Sequence, residues 1–292
     1  MDLMNRIFGT TRALRAWLVI SLVCNMAIIV TGAVVRLTGS GLGCPTWPKC
    51  TEASYVPHGA VTWHAFIEFG NRTLTFVLIA AAVGALVAAY RASEDKALRI
   101  ACWAILGGIV AQGIIGGITV HMQLNPYVVG IHLIGSVALI VACTWTVLRA
   151  RGHRPIVVGR ATRAVTIAVF VLAMVAIYLG TLVTGSGPHS GDEFARRTGF
   201  NIESIARLHS LSVYALVAVT IAALVIARRS GAERTVRALA WLLIGSAVQG
   251  AIGYIQYFTH LPVGMVILHM IGTAVIAVLA SLVWFSNTRA AS

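Results

Sequence analysis

Apolar residues run along the chain in eight long blocks, at about 16–36, 63–90, 100–121, 127–148, 164–184, 204–227, 238–258 and 263–285. Polar and charged residues gather between them. A helix across a bilayer needs roughly 20 apolar residues, so the pattern predicts eight transmembrane helices. The first block follows Arg12 and Arg15 in the manner of a signal peptide. It is long and lacks a small-residue cleavage site, so we read it as a retained helix.

Self-comparison divides the eight blocks into two sets of four. His132 and His269 are 137 residues apart, as are Gln112-Gly113 and Gln249-Gly250, while Pro126 returns as Pro262. Thr38-Gly-Ser-Gly41 returns after the fifth block as Thr184-Gly-Ser-Gly187. The predicted fold is therefore all-α and polytopic, with two tandem four-helix bundles at 1–148 and 164–292 joined by a linker at 149–163. An even number of spans per unit gives both copies one orientation, about a pseudo-two-fold axis along the membrane normal. The connections 37–62 and 185–203 are the long ones, and both fall on the same side.

Composition agrees with this reading. The chain has 292 residues, 58% hydrophobic and 11% charged, with a mean hydropathy of +0.87, outside the range of soluble domains. The net charge of +13 suggests nucleic acid until its positions are followed. Arg6, Arg12 and Arg15, then Arg91, Lys96 and Arg99, then Arg149, Arg151, Arg154, Arg160 and Arg163, then Arg228, Arg229, Arg234 and Arg237, and finally Arg289 occupy every second connection. By the positive-inside rule these segments and both termini are cytoplasmic, in a cell membrane. The charge encodes topology, not nucleic-acid binding. Cys44 and Cys50 fall in the first loop of the opposite, oxidising side, where a disulfide is expected, with a metal site as the alternative. Cys24, Cys102 and Cys143 lie in spans as packing residues.

Polar residues inside the apolar blocks carry the candidate chemistry. In the second half His209 and His269 lie on alternate helices, each near the outer end of its span. Two neutral imidazoles across a four-helix bundle suit a six-coordinate heme iron; the alternative is that each only hydrogen-bonds a neighbouring helix. In the first half His132 matches His269, but Asn71 stands where the repeat has His209. His64 lies seven residues earlier on the same helical face, with Glu68 between them. A carboxylate in an apolar span suggests proton handling, against the alternative of an i,i+4 pair with Arg72. Arg36, Arg72 and Arg207 could meet heme propionates or sit as interfacial cations.

These features together resemble the heme A synthase family. The resemblance covers essentially the whole chain and rests on eight spans in two halves, the run Thr38-Gly-Ser-Gly-Leu-Gly-Cys44-Pro-Thr-Trp-Pro-Lys-Cys50, Glu68 with Arg72, Gln112-Gly113, and His132, His209 and His269. It implies an oxidoreductase that converts a methyl group of heme O to the formyl group of heme A for cytochrome oxidase biogenesis. It further implies a heme b cofactor with iron ligands His209 and His269, and heme O as substrate on His132. Asn71, His64 and Arg72 then line the substrate site, with Glu68 catalytic and Cys44–Cys50 a disulfide. The family commonly has histidine where this chain has Asn71, and often a second cysteine pair in the loop after span 5, which this chain lacks. Implied partners are a heme O synthase, an electron acceptor, membrane lipids and, as a further option, a second copy of the chain. The rival reading is a diheme b-type electron-transfer cytochrome that oxidises quinol.

Overall fold

The computed structural model describes residues 3–57, 63–193 and 195–289. The part of the first outer loop at 58–62, and the two chain ends, lie outside the described residues. A short helix α1 (Leu3–Phe8) precedes eight long ones: α2 (Thr11–Leu37), α3 (Trp63–Ala92), α4 (Lys96–His121), α5 (Pro126–Ala150), α6 (Arg160–Ser186), α7 (Ile202–Arg229), α8 (Glu233–Phe258) and α9 (Val263–Ser286). All eight are long and apolar enough to cross a membrane. The chain is an all-α multi-pass membrane protein. Each helix overruns its apolar block, and α2, α4, α5 and α7 start on a polar side chain that caps them. Thr10 accepts from the Ala13 N–H, Asp95 from those of Ala97 and Leu98, Asn125 from that of Tyr127 and Asn201 from that of Ser204, satisfying donors that a helix start leaves unpaired.

Large side chains face outward, as lipid allows: Phe76, Ile100 and Phe258 are each about 70% exposed, an arrangement that water would penalise. The interior combines close-packed apolar side chains such as Leu18, Ile140 and Leu239 with small and polar ones. Asn25 is buried on α2 and donates to Ser21 O at 2.8 Å and toward Cys143 Sγ on α5 at 3.7 Å. Such contacts hold helices together where lipid removes the hydrophobic drive.

The chain forms two compact units. One comprises the residues up to Gly152 together with Thr184–Phe200; the other comprises His153–Val183 together with Asn201 onward. The segment after α6 thus packs with the first unit: Arg36 on α2 donates to His189 O at 3.0 Å, and the Gly41 N–H donates to Gly191 O at 2.8 Å. The second unit carries two strands that the apolar pattern does not predict, β1 (Ile156–Val158) paired in parallel with β2 (Asn287–Arg289). At three residues each, they are too short to produce a periodicity. Asn287 anchors them, donating to Thr235 Oγ1 while its carbonyl accepts from Arg163.

The turns at the outer ends of α4 and α8 share an uncommon backbone. Gln123 and Leu124 have φ of 50° and 55°, and His260 and Leu261 have 62° and 60°. Non-glycine residues enter this region at a cost of about 1–2 kcal/mol each. Using the same costly conformation twice, 137 residues apart, fixes how α5 folds back on α4 and α9 on α8.

Candidate functional site

In the second unit His209 on α7 and His269 on α9 face each other with ring centres 6.5 Å apart and planes at 72°. Each ring lies over a glycine of a neighbouring helix. A methyl group at Gly180 would stand 3.4 Å from the His209 ring, and one at Gly253 would stand 3.3 Å from the His269 ring. Glycine lets the imidazoles approach the helix backbone. Nδ1 of His209 is 3.0 Å from Ala176 O, a bond that the ring can make only by donating, so Nε2 is left as a lone-pair donor. Two metal–imidazole bonds of about 2 Å, with the ring radii, span about 6 Å between ring centres. The pair therefore fits a six-coordinate iron. Among the described residues no cluster of three or more His, Cys, Asp or Glu side chains is formed, so the ligand set suits heme and not zinc.

The first unit holds its candidates differently. His132 on α5 lies against Gly116 on α4, 3.5 Å from where a methyl would be, the counterpart of His269 on Gly253. No hydrogen bond or ring contact joins His132 to Asn71 or His64 among the described residues. Asn71 turns to α2, where its Oδ1 accepts from Thr31 Oγ1 at 2.8 Å. His64 stacks on Trp63 and its Nδ1 lies 3.0 Å from Ser40 Oγ, which is linked in turn to Thr38 Oγ1. The Thr38–Gly41 run thus ends α2, with Gly39 at φ 65°, and ties down His64.

Glu68 is buried and accepts three hydrogen bonds: one from the Cys44 N–H at 2.6 Å, and two from Arg72 at 3.1 and 2.5 Å. The i,i+4 ion pair weighed against a chemical role is formed. Arg72 also donates to Cys44 O at 2.8 Å, Thr46 O at 2.8 Å and Lys49 O at 3.2 Å. A guanidinium has five N–H donors; all five are engaged here, which leaves none for a propionate. Arg72 instead clamps the loop closed by the Cys44–Cys50 disulfide. The loop is seated tightly at two further points. A methyl at Gly117 would overlap the Trp47 ring, and one at Gly43 would meet the His64 backbone. Gly117 adjoins Gly116, so Trp47 sits beside the backbone that carries the His132 ring. Arg36 donates to His189 O, and Arg207 is exposed, 3.9 Å from Glu203.

Sequence reasoning missed Thr31, Trp47 and the glycines under the rings. The glycines had a signal, since Gly116 and Gly253 share the 137-residue spacing of the histidines they carry. Thr31 had none, because nothing in the sequence shows which α2 residue meets Asn71.

Fold and site together define a multi-pass helical membrane protein with a facing imidazole pair in one unit and a buried carboxylate clamped beneath a disulfide loop in the other. Comparison with known proteins narrows the class. Residues 15–189 match the family described as cytochrome oxidase assembly protein (COX15-CtaA). The heme A synthase of Rhizorhabdus wittichii is 28% identical over 93% of this chain and 92% of its own length. That of Shewanella oneidensis is 26% identical over 89% and 92%, and that of Geobacillus thermodenitrificans is 30% identical over 44% and 38%. The chain belongs to the COX15-CtaA family of cytochrome oxidase assembly proteins.

Proposed function

We propose that the chain is a heme A synthase, an oxidoreductase that turns a methyl group of heme O into the formyl group of heme A. The observation that carries this reading is the inequality of the two units: a facing pair of imidazoles at 6.5 Å in one, and His132 together with a clamped, buried Glu68 in the other. In this reading residues 164–292 hold heme b between His209 and His269, and residues 1–148 receive heme O on His132, with 149–163 as the cytoplasmic linker. Both termini are cytoplasmic in the cell membrane, so the sites and the disulfide loop lie toward the outer face.

Heme b, when bound, supplies one-electron transfer. The protein's own contribution begins with orientation. Ala176 O fixes the His209 tautomer, and the glycine seats set the ring positions. In the first unit, converting CH3 to CHO exchanges two hydrogens for one oxygen in a four-electron oxidation; balanced with water it releases four protons, which must leave the site, and four electrons, which pass to a separate acceptor. Glu68 is the group suited to accept them at Oε2 or Oε1. Arg72 and the Cys44 N–H keep the carboxylate aimed between transfers. Asn71, held by Thr31, is an amide and a poor iron ligand. Occupied by Asn71 or His64, the side opposite His132 holds the substrate weakly and lets the product leave. Heme O synthase as the source of substrate, a separate electron acceptor and self-association complete the proposal.

Coexpression with a heme O supply, followed by pigment extraction and mass spectrometry, tests it. Heme A or its alcohol precursor is expected. Two unmodified b-type hemes and no product would instead favour the diheme cytochrome.

A further inference from the structure

Two short patterns recur in the chain, Gln112-Gly-Ile-Ile-Gly116 with Gln249-Gly-Ala-Ile-Gly253, and His132-Leu-Ile-Gly135 with His269-Met-Ile-Gly272. Their side chains interlock reciprocally. A methyl at Gly135 would overlap the Gln112 amide, and one at Gly272 would overlap the Gln249 amide. Each glutamine therefore lies flat on the backbone of the helix that carries the histidine, one turn beyond it. In return each histidine ring lies over the glycine one turn beyond the glutamine, Gly116 or Gly253. In the second unit Gln249 Nε2 donates to the His269 carbonyl at 2.7 Å, which also accepts from Thr273 Oγ1 at 3.0 Å.

The interlock leaves the same atoms unsatisfied in both units. Gln112 Oε1, Gln249 Oε1, His132 Nδ1 and His269 Nδ1 are all buried without a hydrogen-bond partner. An orphaned buried polar atom is costly, and packing alone gives no reason to keep a carboxamide there. His209 has no such orphan, since its Nδ1 is bonded to Ala176 O. A histidine that ligates iron through Nε2 carries its proton on Nδ1, and that N–H needs an acceptor. On α8 the unsatisfied buried side-chain oxygens are Ser246 Oγ, Gln249 Oε1 and Gln256 Oε1; only Gln249 recurs on α4, as Gln112, and its amide already reaches the His269 carbonyl.

We propose that Gln249 and Gln112 are positioning residues for His269 and His132, their amide oxygens accepting the Nδ1–H once Nε2 is bound to iron. The inference rests on the heme reading above. Closing that bond is the change expected on heme binding. It fixes the tautomer, orients the ring and makes the imidazole a stronger donor to iron, while the glycines supply the room.

The test uses the full-length chain purified with its heme, comparing Gln249→Met, Gln249→Glu and the double variant Gln249→Ala/Gly272→Ala. The readouts are the low-spin electron paramagnetic resonance signal and the midpoint potential. Gln249→Met keeps the volume but removes the acceptor; it should displace the largest g value and raise the potential. Gln249→Glu supplies a stronger acceptor and should lower the potential below that of the unmodified chain. The double variant refills the space with a methyl group and should fold, bind heme and behave like Gln249→Met. Unchanged g values and potential in Gln249→Met, or a double variant like the unmodified chain, overturn the proposal by showing that the glutamine only packs. Absence of any bis-imidazole signal in the unmodified chain overturns instead the heme reading beneath it.

Discussion

His269 faces His209 at 6.5 Å in the second unit, whereas in the first unit Asn71 stands at the corresponding position and turns toward Thr31. The histidines themselves are treated alike. Each lies over a glycine of the preceding helix and under a glutamine laid on the next turn. What differs is the opposite wall, together with what covers it. The first unit has a disulfide loop held on Glu68 and Arg72; the second unit has no second disulfide loop among the described residues. On the proposed reading, a duplicated frame holds one porphyrin permanently and another briefly by changing one ligand and adding one acid. The reaction does not require two different folds.

The most drastic way to break this comparison is to make the second unit resemble the first. His209→Ala removes one of two proposed fixed ligands, and breaking six-coordination there should abolish the low-spin signal of the purified protein and its activity together. His269→Ala should do the same. A low-spin signal of unchanged intensity in both would mean that the facing pair is only structural.

The acid of the first unit comes next. Glu68→Gln keeps the shape and can still accept from the Cys44 N–H, but it cannot take a proton. A positioned proton acceptor contributes about 10²–10⁴-fold, so turnover should fall by that order while the heme of the second unit stays in place. Extracted pigment should then be rich in heme O or a hydroxylated intermediate. Normal heme A yield would sink the catalytic assignment and leave Glu68 as a partner for Arg72 alone.

A milder change sharpens the comparison from the other side. Asn71→His gives the first unit the wall of the second. With substrate present it should add a second low-spin species, and turnover should shift within about tenfold, the range usual for changes around a metal ligand. If the spin state does not respond, position 71 does not face the substrate iron. His64, already tied to Ser40, would then be the group to substitute.

Much of this contrast was legible in the sequence, and for a physical reason. Lipid forces apolar blocks of fixed length, so eight helices and their order follow from hydropathy alone. Within those blocks a polar residue is costly enough that His132, His209, His269 and Glu68 stand out unaided. The engagement of Arg72 was not legible. Its five bonds depend on how residues 44–49 fold back over α3, and three of their acceptors are backbone carbonyls, which look the same at every position in a sequence. The loop's fit on Gly117 through Trp47 and the bond from Thr31 to Asn71 are hidden likewise, because each joins helices whose relative rotation no spacing encodes. The β1–β2 pair escaped through brevity.

The smallest effect lies at the inner ends of α4 and α8. Asp95 caps α4 and pairs with Arg149 across 2.6 Å; 137 residues later Ala232 precedes α8 with no side-chain cap and is buried in the core of the second unit. One unit secures this helix start with charge, the other with packing. Asp95→Ala should therefore cost about 1 kcal/mol, the usual worth of a cap, with little more from the half-exposed ion pair. Ala232→Asp should destabilise, since the new carboxylate would be buried without a cation beside it. The Arg149 guanidinium holds the Asp95 carboxyl below its ordinary range. Its contribution is thus complete above the unfolded carboxyl value, near 4, and is lost as pH falls through the lower folded value. Thermal unfolding in detergent between pH 7 and pH 3 should show the gap between the unmodified chain and Asp95→Ala narrowing only toward the acid end. A gap that is constant across that range would mean that the carboxylate acts through shape and not charge.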